Sequence, residues 1–191
     1  MRQTTKDIMS DVLISKLETK PLSKISVKEI ADCANVNRQT FYYHFKDIYD
    51  LLGYSMQREA EFLLERAENA SWDEILLEIA EFLEDRRAMC LRAIEAARED
   101  TIRKFVYSLI QSYLRVVLDE ASAGMNIDEQ YKDFLTSFLV VSVAGNYVEW
   151  IKTPDSARLS CDKFVKYLSI TVVGSSKQAL IRYEKEMKTN N

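Results

Sequence analysis

Four glycines and two prolines in 191 residues leave too little turn-forming chemistry for a chain built of many short strands. Long helices need few such residues, so the expectation is an all-α fold. With 47% hydrophobic residues the chain can bury a real core. Its length suits a small domain joined to a larger one. The three cysteines (Cys33, Cys90 and Cys161) are far apart and form no CxxC pair, so neither a disulfide framework nor a cysteine zinc site is expected beside a single histidine. The start, "MRQTTKDIMSD", is too polar for a secretory leader, and no apolar run approaches bilayer length. A cytoplasmic protein without metal or other cofactor is the expectation.

Helix-start signals are dense in the first third. Thr4 and Asp7 form a capping box for a first helix with Ile8, Val12, Leu13 and Leu17 inward. Pro21 interrupts it. Ser26-x-x-Glu29 opens a second helix to about Cys33; Asn35 suits a left-handed turn, and Asn37 can cap a third helix over 38–45. Asp47-x-x-Asp50 then starts a fourth, with Ile48, Leu51, Leu52, Ser55, Phe62 and Leu63 along one side.

Two short helices joined by a tight turn make a helix-turn-helix. Ile30 and Ala31 face inward, Val36 sits under the turn, and Phe41 is the inward anchor of the second helix. Arg38, Gln39, Tyr42 and Tyr43 then point outward, offering groups that read base edges, hold phosphates and stack on sugars. Charge agrees with this. From Lys20 to Lys46 the balance is +3, which leaves −7 for the rest of a chain whose net charge is −4. His44 is the one imidazole available for acid–base chemistry. Between Tyr43 and Phe45 on a short helix, a phosphate contact explains it better than catalysis, which needs a nucleophile and an orienting group. The four glycines are isolated and build no phosphate loop. No catalytic residue is assigned.

The string "ISVKEIADCANVNRQTFYYHFKDIYDLL" resembles the DNA-binding head of the TetR family of bacterial transcriptional regulators, with Asn35 where that family usually has glycine. "NRQTFYYHFKDIYDLL" is also similar to a branch of dihydroxyacetone-kinase regulators. The resemblance implies about nine helices in two units: a helix-turn-helix head over 1–52, and an effector-binding and dimerisation body over 53–191. It places Ser26 at a phosphate and Arg38, Gln39 and Thr40 at the leading end of the recognition helix. Arg38 would face guanine, Gln39 adenine, and Thr40 a thymine methyl or a phosphate. Tyr43 is the implied aromatic base contact, while Tyr42, His44 and Lys46 resemble phosphate-holding positions. The implied partners are a palindromic double-stranded operator, a second copy of the chain and a small-molecule effector. The implied function is a repressor released by that effector. An activator controlled by a protein partner, a helical interaction module and a small helical enzyme are the rival readings.

The body reads as further helices. Ser71-x-x-Glu74 caps one with Ile75, Ile79, Phe82 and Leu83 inward; "CLRAIEAA" is short. A long helix carries Ile102, Phe105, Val106, Leu109, Tyr113 and Val116 inward and ends near Gly124. Another ends before Pro154, and a last one runs from near Asp155 to Gly174. Ser137, Val141, Ala144 and Val148, with Gly145, form a small-residue stripe suited to close helix packing against the last helix, either within the chain or across a dimer. Phe82, Met89, Phe105, Tyr113, Phe138, Tyr147 and Trp150 are soft or aromatic enough to line an effector pocket, though each also suits plain core.

Overall fold

The computed structural model describes residues 3–66, 70–95 and 99–189. They form nine α-helices and one 3-10 turn, with no strand among the described residues: α1 (Thr5–Leu17), the 3-10 turn (Leu22–Lys24), α2 (Val27–Cys33), α3 (Arg38–His44), α4 (Ile48–Arg66), α5 (Trp72–Asp85), α6 (Arg87–Ala93), α7 (Glu99–Ala121), α8 (Glu129–Lys152) and α9 (Cys161–Thr189).

The cap signals fix the starts. The Thr4 hydroxyl accepts from the Asp7 amide and the Asp7 carboxylate accepts from the Thr4 amide, satisfying two orphan donors at once. Ser26, Asn37, Ser71 and Asp128 likewise accept from amides in the first turns of α2, α3, α5 and α8. Asp47 takes the amides of Tyr49 and Asp50, and Asp50 takes that of Lys46, so α4 opens on a double acidic cap. Asn35 adopts φ 54°, and the Val36 amide closes the turn on the Ala31 carbonyl at 2.9 Å.

In the head, Met9, Leu13 and Leu17 of α1 meet Ile30, Phe41, Leu51 and Leu52 in one buried cluster. Ile8, expected inward, is exposed, and Ser10 takes the inner position by donating to Ser55 at 2.9 Å. Polar groups tie α1 to α4 as well. The Tyr54 hydroxyl donates to Asp7 at 2.7 Å, and Arg58 reaches the Asp7 carbonyl and the Asp11 carboxylate. Hydrogen bonds from Thr4 and then Tyr54 lower the Asp7 pKa to about 2. The depressed value stabilises the fold above the ordinary carboxylate pKa, and the contribution disappears as pH falls from about 4 towards about 2. Asp7→Asn is therefore expected to lower the thermal midpoint at pH 7 and to flatten its decline over that acid range. An unchanged decline would remove Asp7 from the acid response.

The body is built on α7 and α8, its closest pair, with α5 against α9. α4 runs on from the head to pack on α7, and Arg92 of α6 donates to the Leu17 carbonyl at the end of α1, at 2.6 Å. Arg87 donates to the Ile151 and Thr153 carbonyls and so closes the end of α8. By composition α8 is long and apolar enough to cross a membrane, yet most of its apolar window is buried in the protein.

Several inward assignments change. Phe62 and Val116 are exposed, and the Ile102 side chain lies outside the described residues. The small-residue stripe splits: Ala144 and Val148 are buried, whereas Ser137 and Val141 face out. α9 starts at Cys161, because 154–160 form turns in which Ala157 and Arg158 amides bond the Pro154 carbonyl. It also continues through Gly174 to Thr189. A glycine costs a helix only about 1 kcal/mol, and buried Val172, Ser176 and Leu180 on either side hold the helix together.

Candidate nucleic-acid interface

α3 owes its orientation to its two ends and one side chain. Asn37 fixes the start by accepting the Thr40 amide at 2.7 Å. Phe41 is wholly buried, edge-on to Tyr42 at 5.5 Å and tilted against Phe45 at 5.8 Å. With that face pinned, helical geometry turns the neighbouring positions out. Arg38 and Gln39 are exposed, Tyr42 is 59% exposed and Tyr43 84% exposed. An aromatic ring so far from the core gives up burial, and leaves a flat apolar face with a hydroxyl for a partner.

The other candidates differ in kind. The Thr40 hydroxyl donates to Asn37 at 3.1 Å, so this half-buried side chain also serves the cap. Ser26 is exposed, and its hydroxyl accepts the Glu29 amide at 3.2 Å. His44 is half-buried, edge-on to the Tyr43 ring at 4.9 Å. Lys46 stands exposed at the start of α4 with its amide bound to Asp50.

The basic character of the head is redistributed. Glu29 takes both Lys20 and Lys16, and hydrogen bonds first from Lys20 and then from Lys16 pull its carboxyl down to about 2. Lys24, Lys28, Arg38 and Lys46 make no ion pair among the described residues and keep their charge for solvent or a partner. The outward chemistry is thus cationic and aromatic on one capped helix. It can hold a phosphate backbone and reach base edges.

The seven pocket candidates do not converge. Phe82 and Phe105 pack together at 4.9 Å. Tyr147 is wholly buried and donates to the Leu76 carbonyl at 2.5 Å, with burial raising its hydroxyl pKa. Trp150 stacks on Phe164 at 4.8 Å and donates to the Leu159 carbonyl. Met89 is buried and Tyr113 half-buried, while Phe138 is 60% exposed, lining with Trp150 an open groove of about 530 Å3 between α8 and α9. Among the described residues no group of three histidines, cysteines or carboxylates could hold a metal. Lys6, Gly53 and Lys104, which sequence reasoning did not single out, meet at a cleft between head and body.

Fold and site define a helix-turn-helix DNA-binding regulator, a class that works by binding and not by turnover. Residues 17–54 match the family model for bacterial regulatory proteins of the tetR family, and residues 70–160 match that for a transcriptional regulator C-terminal region. The chain belongs to the TetR family of bacterial transcriptional regulators. Its fold is similar to that of the dihydroxyacetone kinase operon activator DhaS, with a TM-score of 0.64 and 18% identity over 91% of this chain and 96% of that one. A TetR-family regulator from Streptomyces coelicolor gives 0.63 and 15% over 97% and 85%. One from Rhodococcus sp. gives 0.57 and 16% over 91% and 98%. No curated protein matches the sequence.

Proposed function

We propose that this regulator binds a palindromic operator as a homodimer in the cytoplasm and acts as a repressor released by a small molecule. The observation that carries the DNA reading is the pinned α3, with Phe41 inward and Arg38, Gln39, Tyr42 and Tyr43 outward. Residues 1–52 serve as the reading head and 53–191 as the effector and dimer unit, with α4 running across that division. A bound effector would change operator affinity by favouring one spacing of the two heads.

The dimer reading has its own support. Phe134, Phe138 and Val141 on α8 and Tyr167, Ile170 and Val173 on α9 are exposed apolar side chains, a surface that water disfavours and a second copy would cover. A second reading, an activator governed by a protein partner, is favoured by the packing of Tyr147, which is wholly buried and spends its hydroxyl on the Leu76 carbonyl and not on a cavity. Titrating operator complexes with small molecules separates the two.

Operator binding measured across salt concentrations tests the head. Arg38→Ala or Gln39→Ala is expected to cost about 1–3 kcal/mol on the operator and to relax preference at one base position. Lys46→Ala should weaken all sequences alike and reduce the slope of log K against log[salt] by roughly 1. Equal losses on operator and random DNA for Arg38→Ala and Gln39→Ala alike would refute base reading.

A further inference from the structure

α6 is short, yet its two arginines hold the carboxyl ends of two different helices. Arg87, its first residue, donates Nε to the Ile151 carbonyl and Nη2 to the Thr153 carbonyl, both at 3.0 Å, where α8 ends. Arg92, in its last turn, donates Nη1 to the Leu17 carbonyl at 2.6 Å, where α1 ends. Carbonyls at a helix end have no amide ahead of them in their own helix and carry the negative end of its dipole. A guanidinium suits both places. Met89, Cys90 and Ala93 are buried, so α6 itself is fixed.

The grip on Leu17 reaches the reading helix. Lys16, its neighbour in α1, binds Glu29 of α2 at 2.9 Å. The Leu17 side chain is wholly buried, in the cluster that holds Ile30 of α2 and Phe41 of α3. A path of charged hydrogen bonds and buried contacts therefore runs from α8 through α6 and α1 to α3, apart from the continuous α4. An object held along one helix can still swing about it. Held on a second helix as well, the head keeps one orientation relative to α8.

We infer that α6 is a bracket that sets the separation of the two reading helices, with Arg87 and Arg92 as positioning residues. The distance between half-sites then becomes part of what an operator must match. This rests on the proposed palindrome-binding dimer, in which α8 belongs to the contact between copies. One base pair more or less moves a half-site about 3.4 Å along the DNA and about a tenth of a turn around it. A head that cannot swing cannot follow.

The test uses a palindrome that the native protein selects from random duplex DNA. It is compared with the same site lengthened or shortened by one base pair between the half-sites, and with a single half-site. The native protein should bind the selected spacing about a hundredfold more tightly than its neighbours, the scale of a lost second attachment. Arg92→Met should reduce that ratio by about tenfold or more, the worth of a lost charged hydrogen bond. Arg87→Met should do the same from the other end of α6. Arg92→Lys, which keeps a cation near the carbonyl, should retain more of the ratio than Arg92→Met. All three variants should bind the single half-site within a few-fold of the native protein, since the reading surface is untouched.

A native protein indifferent to spacing, or an Arg92→Met protein that keeps the native ratio, overturns the bracket. So does an equal loss on the single half-site, which makes Arg92 a support of the head's fold. An Arg87→Met protein with the native ratio takes α8 out of the path, and an Arg92→Lys protein no better than Arg92→Met removes the charged hydrogen bond. A native protein that gains nothing from a second half-site refutes the dimer reading itself, before any variant is compared.

Discussion

Phe41→Ala is expected to unfold the head and abolish operator binding. The ring is fully buried among α1, α2 and α4, and truncating such a residue typically costs about 3–5 kcal/mol in lost transfer energy and residual cavity. A domain stable by roughly 5–15 kcal/mol has little reserve against that loss, and a three-helix head has less than most. Tyr43→Ala, two positions along, supplies the contrast. That side chain is 84% exposed, so its removal should change stability by no more than about 0.5 kcal/mol while operator affinity still falls. Thermal unfolding followed by circular dichroism, paired with operator binding by fluorescence anisotropy, separates the two effects. A Phe41→Ala protein that melts where the native one does, or a Tyr43→Ala protein destabilised as much, would overturn this division of inward peg and outward reader.

The same contrast shows what the sequence could reveal. Caps are local: a hydroxyl or carboxylate meets an amide two or three residues away, so Thr4, Ser26, Asn37 and Ser71 were legible from spacing alone. The turn at Asn35 was equally local. In the head, one buried ring fixed the orientation of a short helix, which made its outward side readable too. Long body helices were harder. Periodicity shows that a helix has an apolar side, but not whether α7, α9 or another chain covers it. Thus Ala144 is buried while Val141, three positions earlier in the same expected stripe, is exposed. Gly174 looked like a stop because its local cost is visible in sequence, whereas the packing of Val172, Ser176 and Leu180 that outweighs it is not. The charge count of the head missed that Glu29 occupies Lys20 together with Lys16, since the partner Lys16 comes from α1. The cleft between Lys6 and Lys104 lay further still from any local pattern, its walls being nearly a hundred residues apart in the chain.

The double variant Phe138→Glu, Ile170→Glu is expected to turn the protein into a monomer. In the native chain Phe138 is 60% and Ile170 62% exposed, an apolar presentation on α8 and α9 that a soluble monomer has no use for. If two copies pair through this face about a twofold axis, each substitution occurs twice, and four carboxylates must be desolvated or brought together. Sedimentation should then report the 22.2 kDa chain mass in place of twice that value. Both side chains are outside the core, so helix content and the thermal midpoint at low protein concentration should hold. Operator affinity should not hold. A dimer spans half-sites about 34–36 Å apart, whereas a lone α3 reads one of them and forfeits the second set of contacts. The loss should reach a hundredfold or more on a palindrome, because linked sites gain on the order of 10²–10⁴ from effective concentration. On an isolated half-site, native and variant proteins should bind within a few-fold of each other, since the reading surface is untouched. A variant that sediments as the native protein does would move the dimer contact off α8 and α9. A monomer with undiminished affinity for the palindrome would show that the two heads never needed to act together.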